Sequence, residues 1–243
     1  MERGIWTPEH GYPDGARARD YLRDQRQRDR DRWRHVRDPR FPRGLPWQAA
    51  IAIDARSQGT ATTGTNVSGS HTCTGSDRAL YVGVNFGQAG TTTVTVTYNG
   101  VSMTPLYQVA DDLNLNVTAI FELIAPATGS NTVDVNVGYS SDLITYYAIS
   151  LTGVHQTVAH RTVYTNNSAL GGSPNVTVVD SQSGDLVIDC AITLNSTIAV
   201  GAGQDSTGTE DDAIAGSGTS GGMSTESASG ASTVMSWTGG LFW

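Results

Sequence analysis

Over most of its length the chain places an apolar side chain at every second position. The pattern runs through Leu80, Val82, Val84 and Phe86, then Val94, Val96 and Tyr98, then Val133, Val135 and Val137, and again through Leu186, Ile188, Cys190, Ile192 and Leu194. A period of two puts alternate side chains on opposite faces of an extended strand, so each segment gains one apolar face. The intervening Thr, Asn, Asp and Gly predict a wet opposite face, the signature of antiparallel sheets closing over a shared core. On this reading Val82, Val84, Val94, Val96, Phe121, Val133, Val135, Ile188 and Ile192 are core residues.

Turn signals separate the runs at short spacing: "YNG" (98–100), "PATGSN" (126–131), "LGGSPN" (170–175) and "SQSGD" (181–185). Gly and Asn supply positive φ cheaply at such places. With no helix-period segment between them, the expected fold is all-β, an antiparallel, jelly-roll-like β-sandwich over residues 47–243. The stretch 208–232 is small, polar and acidic, and reads as part of a Gly/Ser-rich acidic loop at about 203–232. The apolar Leu241, Phe242 and Trp243 that follow "TVMSWTGG" would be costly to leave in water, which predicts that they tuck into the core or a partner.

Residues 1–46 have a different chemistry. All fifteen basic residues of the chain are Arg, and twelve precede residue 51; with eight acids there, that stretch carries +4, whereas the remainder holds three Arg against fifteen acids, or −12. Asp24 with Arg28, Asp20 with Arg23, and Asp31 with Arg34 sit at helical i,i+4 or i,i+3 spacing, which predicts a short helix over about 15–36. Its apolar residues, Tyr21, Leu22, Trp33 and Val36, form no continuous stripe, so such a helix has no reason to pack on its own domain. Proline-punctuated extended pieces flank it. They carry Trp6, Tyr12, Phe41 and Trp47, suited to lying across another protein at low entropic cost. The expected partner-binding set is Trp6, Tyr12, Arg23, Arg28, Arg30, Arg32, Trp33, Arg34, Phe41 and Trp47. Interleaved Asp would repel a phosphate backbone and occupy the Arg forks, which argues against nucleic acid.

Catalytic and metal-binding patterns are sparse. "GTSGG" (218–222) fits G-x-S-x-G and "GSGTSG" (216–221) fits G-x-G-x-x-G, yet neither has the strand before and helix after that give those motifs their mechanism. His10, His35, His71, His155 and His160 never approach metal-protease spacing. Asp205, Glu210, Asp211 and Asp212 crowd one segment, but match no EF-hand, and read as a solvated acidic loop. No catalytic residue, cofactor or metal is expected. Cys73 and Cys190 read as two buried thiols on strands. No opening h-region and no run of about 18 apolar residues predicts either Sec export or a membrane span.

The succession "VTVTYNGVSMTPL" (94–106), "AIFELIAPATGSNTVDVNV" (119–137) and "AISLTGVHQTVAHRTV" (148–163) resembles a β-sandwich domain of bacteriophage structural proteins and of some large bacterial surface proteins. The similarity spans roughly residues 48–240; the arm has no counterpart in it. The resemblance implies a non-enzymatic virion component, made in the host cytoplasm without a signal peptide and displayed on the particle surface. It suggests a capsid decoration or cement protein, homo-oligomeric in the assembly, whose arm engages the major capsid protein or neighbouring copies. The alternatives are a tail fibre, spike or glycan-receptor component, and a bacterial carbohydrate-binding or adhesive module.

Overall fold

The computed structural model describes residues 50–87, 93–110, 116–166, 174–194, 197–211 and 219–238. All of them belong to the unit Gln48–Trp243. The expected arm helix and all ten expected partner-binding residues, Trp6, Tyr12, Arg23, Arg28, Arg30, Arg32, Trp33, Arg34, Phe41 and Trp47, lie outside the described residues.

The described chain is all-β. Its strands are β1 (Ala52–Ala61), β2 (Gly64–Cys73), β3 (Ala79–Gly87), β4 (Thr95–Tyr98), β5 (Val101–Ser102), β6 (Thr104–Ala110), β7 (Asn116–Ile124) and β8 (Gly129–Ser141). There follow β9 (Ile144–Thr152), β10 (Asn175–Val178), β11 (Leu186–Leu194), β12 (Ala199–Val200), β13 (Asp205–Asp211), β14 (Thr219–Ser227) and β15 (Thr233–Thr238). Every pairing is antiparallel.

A five-stranded sheet in the order β1-β9-β3-β7-β6 forms the middle of the body. Its register sets Val82 opposite Phe121 on one side and Ala148 on the other. One face packs on the four-stranded sheet β2-β8-β4-β5 through Leu80, Val82, Val84, Phe86, Phe121 and Tyr146 from the first sheet, with Val67, Val96, Val133, Val135 and Val137 from the second. The β4–β5 hairpin closes on Asn99 and Gly100, at φ of 51° and 73°. Two successive positive φ values define the tight turn whose twist matches paired strands, and Asn-Gly adopts it with least strain.

The other face of the central sheet is covered as well, which corrects the expectation of a wet side. Ala79, Tyr81, Tyr147, Ile149 and Leu151 point away from the first core and meet Met223, Leu186, Ile188 and Cys190 of a three-stranded sheet, β11-β14-β13. Every residue from Ala79 to Phe86 and from Ile144 to Leu151 is consequently buried. Asn85 belongs to this second face and is hydrogen-bonded through both ends of its amide. Its amide nitrogen donates to Ala191 O at 2.8 Å, and its carbonyl oxygen accepts from the Thr118 hydroxyl and from Cys190 Sγ. Hydrogen bonding of this kind removes most of the cost of a buried amide.

Among its described residues the expected loop at 203–232 is largely strand, a second correction. Within β14 every residue from Ser220 to Thr225 is buried, and its small side chains are what close packing on both faces requires. A Cβ on Gly221 would collide with Asn85 on one side, and a Cβ on Gly222 would approach Trp237 to 2.7 Å on the other. Trp237 comes from the fourth group of strands, β10-β15-β12. A strand pressed from both sides has no wet positions, so the alternation that marks other strands is missing from it.

Of the nine expected core residues, Val82, Val84, Val94, Val96, Phe121, Val133 and Val135 are buried. Ile188 and Ile192 are half-buried, because β11 is an edge strand and a groove opens beside it.

Candidate functional site: an apolar groove beside the β11 edge

The groove has a volume of about 850 Å³. It lies where three sheets end, bordered by β6 and β7 of the central sheet, β11, and the β10–β15 pair. Leu106, Val109, Ile120, Ile188, Ile192 and Val176 give it a mainly apolar lining. Tyr107, Val158 and Val163 stand at its border, 42%, 66% and 37% exposed, an unusual grouping of large apolar side chains around one opening.

The irregular segment 154–166 makes one wall. It has no strand partner; Val154 N donates to Asp77 O at 2.8 Å, and side chains tie down the rest. Gln156 Nε2 donates to Arg78 O at 3.1 Å, Tyr164 Oη to Asp180 Oδ2 at 2.6 Å and Asn166 Nδ2 to Asn175 O at 2.7 Å, while Tyr81 Oη lies 3.1 Å from Ala159 O. Arg161 pairs with Asp185 at 3.1 Å. His160 Nδ1 lies 3.1 Å from Glu122 Oε1, and the same carboxylate accepts from Tyr81 Oη at 2.9 Å. Burial, with the Glu122 carboxylate beside it, pushes the Tyr81 phenol far above its usual range. The Tyr81 hydroxyl and the His160 imidazole together make Glu122 a satisfied anchor for the wall.

Asp189 is the other acid set into an apolar strand. Trp237 Nε1 donates to its Oδ2 at 2.7 Å and Ser224 Oγ to its Oδ1 at 2.5 Å. Burial raises its carboxyl to about 6, against the two hydrogen bonds that favour the ionised form. Neither acid belongs to the expected site set. Their signal in the sequence is a single carboxylate inside an otherwise apolar strand, "AIFELI" for Glu122 and "LVIDCAI" for Asp189.

The sequence-derived candidates fall elsewhere. Ser220, the serine of "GTSGG", sits within a paired strand facing Thr193 and Asp211, with no sharp turn to present its hydroxyl. His71 is buried, lies 2.8 Å from Ser57 Oγ through Nδ1, and meets Tyr98 edge-on at 6.3 Å; burial lowers its basicity. This pair does not line the groove. His155 is exposed and accepts from the amides of Thr157 and Val158, closing its own turn. Asp205 begins β13, largely exposed, with Arg56 3.9 Å away. Glu210 and Asp211 continue that strand, while Asp212, His10 and His35 lie outside the described residues. Among the described residues no group of three or more His, Cys, Asp or Glu side chains is placed so that it could hold a metal ion.

Both cysteines are free. Cys73 lies in the first core, and Cys190, half-buried, packs at the second, with its sulfur against Gly83. Burial first, and the adjoining Asp189 second, push the Cys190 thiol to about 12, a poor nucleophile at neutral pH. Among the described residues no helix is long and apolar enough to cross a membrane.

Compared with known proteins, the chain matches no family model, no curated protein and no solved structure.

Proposed function

We propose that this chain is a non-enzymatic virion structural protein of a bacteriophage. Its body is a jelly-roll-like sandwich on the outside of the particle, and its Arg/Asp arm fastens it to the major capsid protein or to neighbouring copies as a capsid decoration or cement protein. The observation that carries the reading is the division of charge, +4 within the first 50 residues and −12 in the rest. Trp6, Tyr12, Trp33, Phe41 and Trp47 support it, since aromatic side chains dominate interface energy and are a poor choice for a solubilising tail. The Thr/Ser/Gly/Asn-rich β body, and the resemblance to phage sandwich domains read from its sequence, supply the setting of the proposal.

In this account Arg side chains of the arm meet carboxylates of the shell, and the remaining Asp residues set register by repelling wrong placements. Deleting residues 1–46 is expected to leave a soluble β domain that no longer joins particles. Attachment of the intact protein is expected to weaken with salt, because exposed ion pairs are screened. Incorporation of the truncated protein at normal occupancy would overturn the role of the arm.

The second reading is a receptor- or glycan-contacting component of the tail. The groove beside β11 favours it, being the concave feature a ligand would use. Loss of host adsorption, with particle assembly intact, when the groove is blocked would select this reading over the first.

A further inference from the structure

The two sheets around the first core meet along a seam, where β1, an outer strand of the five-stranded sheet, lies against β2, an outer strand of the four-stranded one. Among the described residues no ladder of backbone hydrogen bonds joins these two strands. Side chains bridge them instead. Tyr146, from β9, presses on the bare backbone of both: a Cβ on Gly59 of β1 would come within 2.5 Å of its ring, and a Cβ on Gly69 of β2 would collide with its hydroxyl. His71, on β2, reaches β1 directly, with Nδ1 2.8 Å from Ser57 Oγ.

His71 is 2% exposed, and its Nε2 is buried with no hydrogen-bond partner among the described residues. That orphan selects the state of the ring. A neutral imidazole with its proton on Nδ1 donates to Ser57 and leaves Nε2 a lone pair, whereas a proton on Nε2 is a buried donor with nothing to meet. The protonated ring carries that unmet donor and a charge as well. Around the ring stand Asp54 and Ser57 of β1, Cys73 two residues further along β2, Tyr98 of β4 and Tyr146 of β9. Asn131 of β8, opposite His71 across the ladder, is uncharged. Asp54 is the one carboxylate in this set, and it is engaged elsewhere, accepting from Thr74 N at 2.7 Å, from the Thr74 hydroxyl and from Ser150 Oγ at 2.9 Å. Burial lowers the basicity of the imidazole, and the attraction of Asp54 offsets only part of that.

We infer that His71 is an acid-sensitive latch on this seam: neutral, it ties β2 to β1 through Ser57, and protonated, it breaks away and frees the β1–β2 edge of the first core. The sign follows from its burial. A histidine held below its ordinary value of 6.5 contributes stability that is present above that value and is lost as pH falls below it. Asp54 stays ionised over this range: burial pushes its carboxyl up, but the hydrogen bonds from Thr74 and Ser150 prevail and hold it below 3.8. Asp189 acts with the opposite sign and on β11, so a local readout separates the two. The inference does not depend on the virion reading.

The test is hydrogen exchange of the full chain at about pH 7.5 and about pH 5, on either side of the histidine range, read as protection factors so that intrinsic exchange cancels. The latch predicts that amides of residues 52–61 and 64–73 lose protection several-fold at the lower pH, while those of residues 79–87 and 116–124 keep theirs. His71→Gln retains an amide donor for Ser57 and takes up no proton, so its seam is expected to be equally protected at both pH values. Should that variant not fold, the ring resonances of His71 in the native chain decide, with a titration midpoint expected well below that of the same residue in the urea-unfolded chain. Equal seam protection at both pH values in the native chain would overturn the inference. So would an acid loss in His71→Gln that matches the native chain, or a His71 midpoint at the unfolded value.

Discussion

Trp237 packs against the bare backbone of Gly222, with its ring so close that a Cβ on the glycine would come within 2.7 Å of the six-membered ring. The indole nitrogen of the same residue donates to Asp189 Oδ2. One residue of β15 thereby joins both β14 and β11 to the outermost strands. Gly222→Ala is expected to cost about 1–3 kcal/mol through overpacking. Urea denaturation of wild type and variant measures it, and equal midpoints would show that the Trp237 ring has room to move aside.

Phe121 is 2% exposed in the first core, opposite Val82 across the β3–β7 ladder. Truncating it removes a large side chain from between two sheets that cannot collapse independently. Phe121→Ala is expected to cost about 3–5 kcal/mol. A loss under 1 kcal/mol would mean that the sheets are not packed in this register.

Asp189 gives the body a pH dependence of definite sign. Its carboxyl is raised from 3.8 in the unfolded reference to about 6 by burial, so the fold prefers the protonated form. The stability it contributes is fully present below about pH 3.8 and is lost as pH rises through 6. A shift of this size corresponds to about 3 kcal/mol. Asp189→Asn mimics the protonated acid, keeping an oxygen for Trp237 and offering an amide to Ser224. Between pH 4 and 7.5 the variant is therefore expected to gain stability relative to wild type. A wild-type-minus-variant difference that is flat over that range would contradict the assignment.

The first core was legible from alternation alone, since Val82, Val84, Val96, Val133 and Val135 each lie on a strand whose neighbours across the sheet share the same period. The second face of the central sheet was not. Tyr81, Gly83 and Asn85 look like a wet face in sequence, because nothing local says that Cys190 and Met223, more than a hundred residues on, will cover them. The strand β14 was hidden for the opposite reason. Its Ser, Gly and Thr side chains are dictated by Asn85 and Trp237 pressing from either side, a tertiary demand that looks like a loop composition. The wall of the groove depends on Tyr81, Glu122 and His160, separated by about forty residues each, and no spacing rule joins them. Only the lone carboxylates in "AIFELI" and "LVIDCAI" mark in sequence that something polar must be met there.

The proposal that the chain is a structural component of a phage shell is tested most directly by the presence and copy number of the chain in purified phage particles, measured by quantitative mass spectrometry against the major capsid protein. The account predicts hundreds of copies per particle, retained through washing at low salt and shed as salt is raised. A handful of copies would move the protein to the tail, and its absence from washed particles would contradict the account altogether.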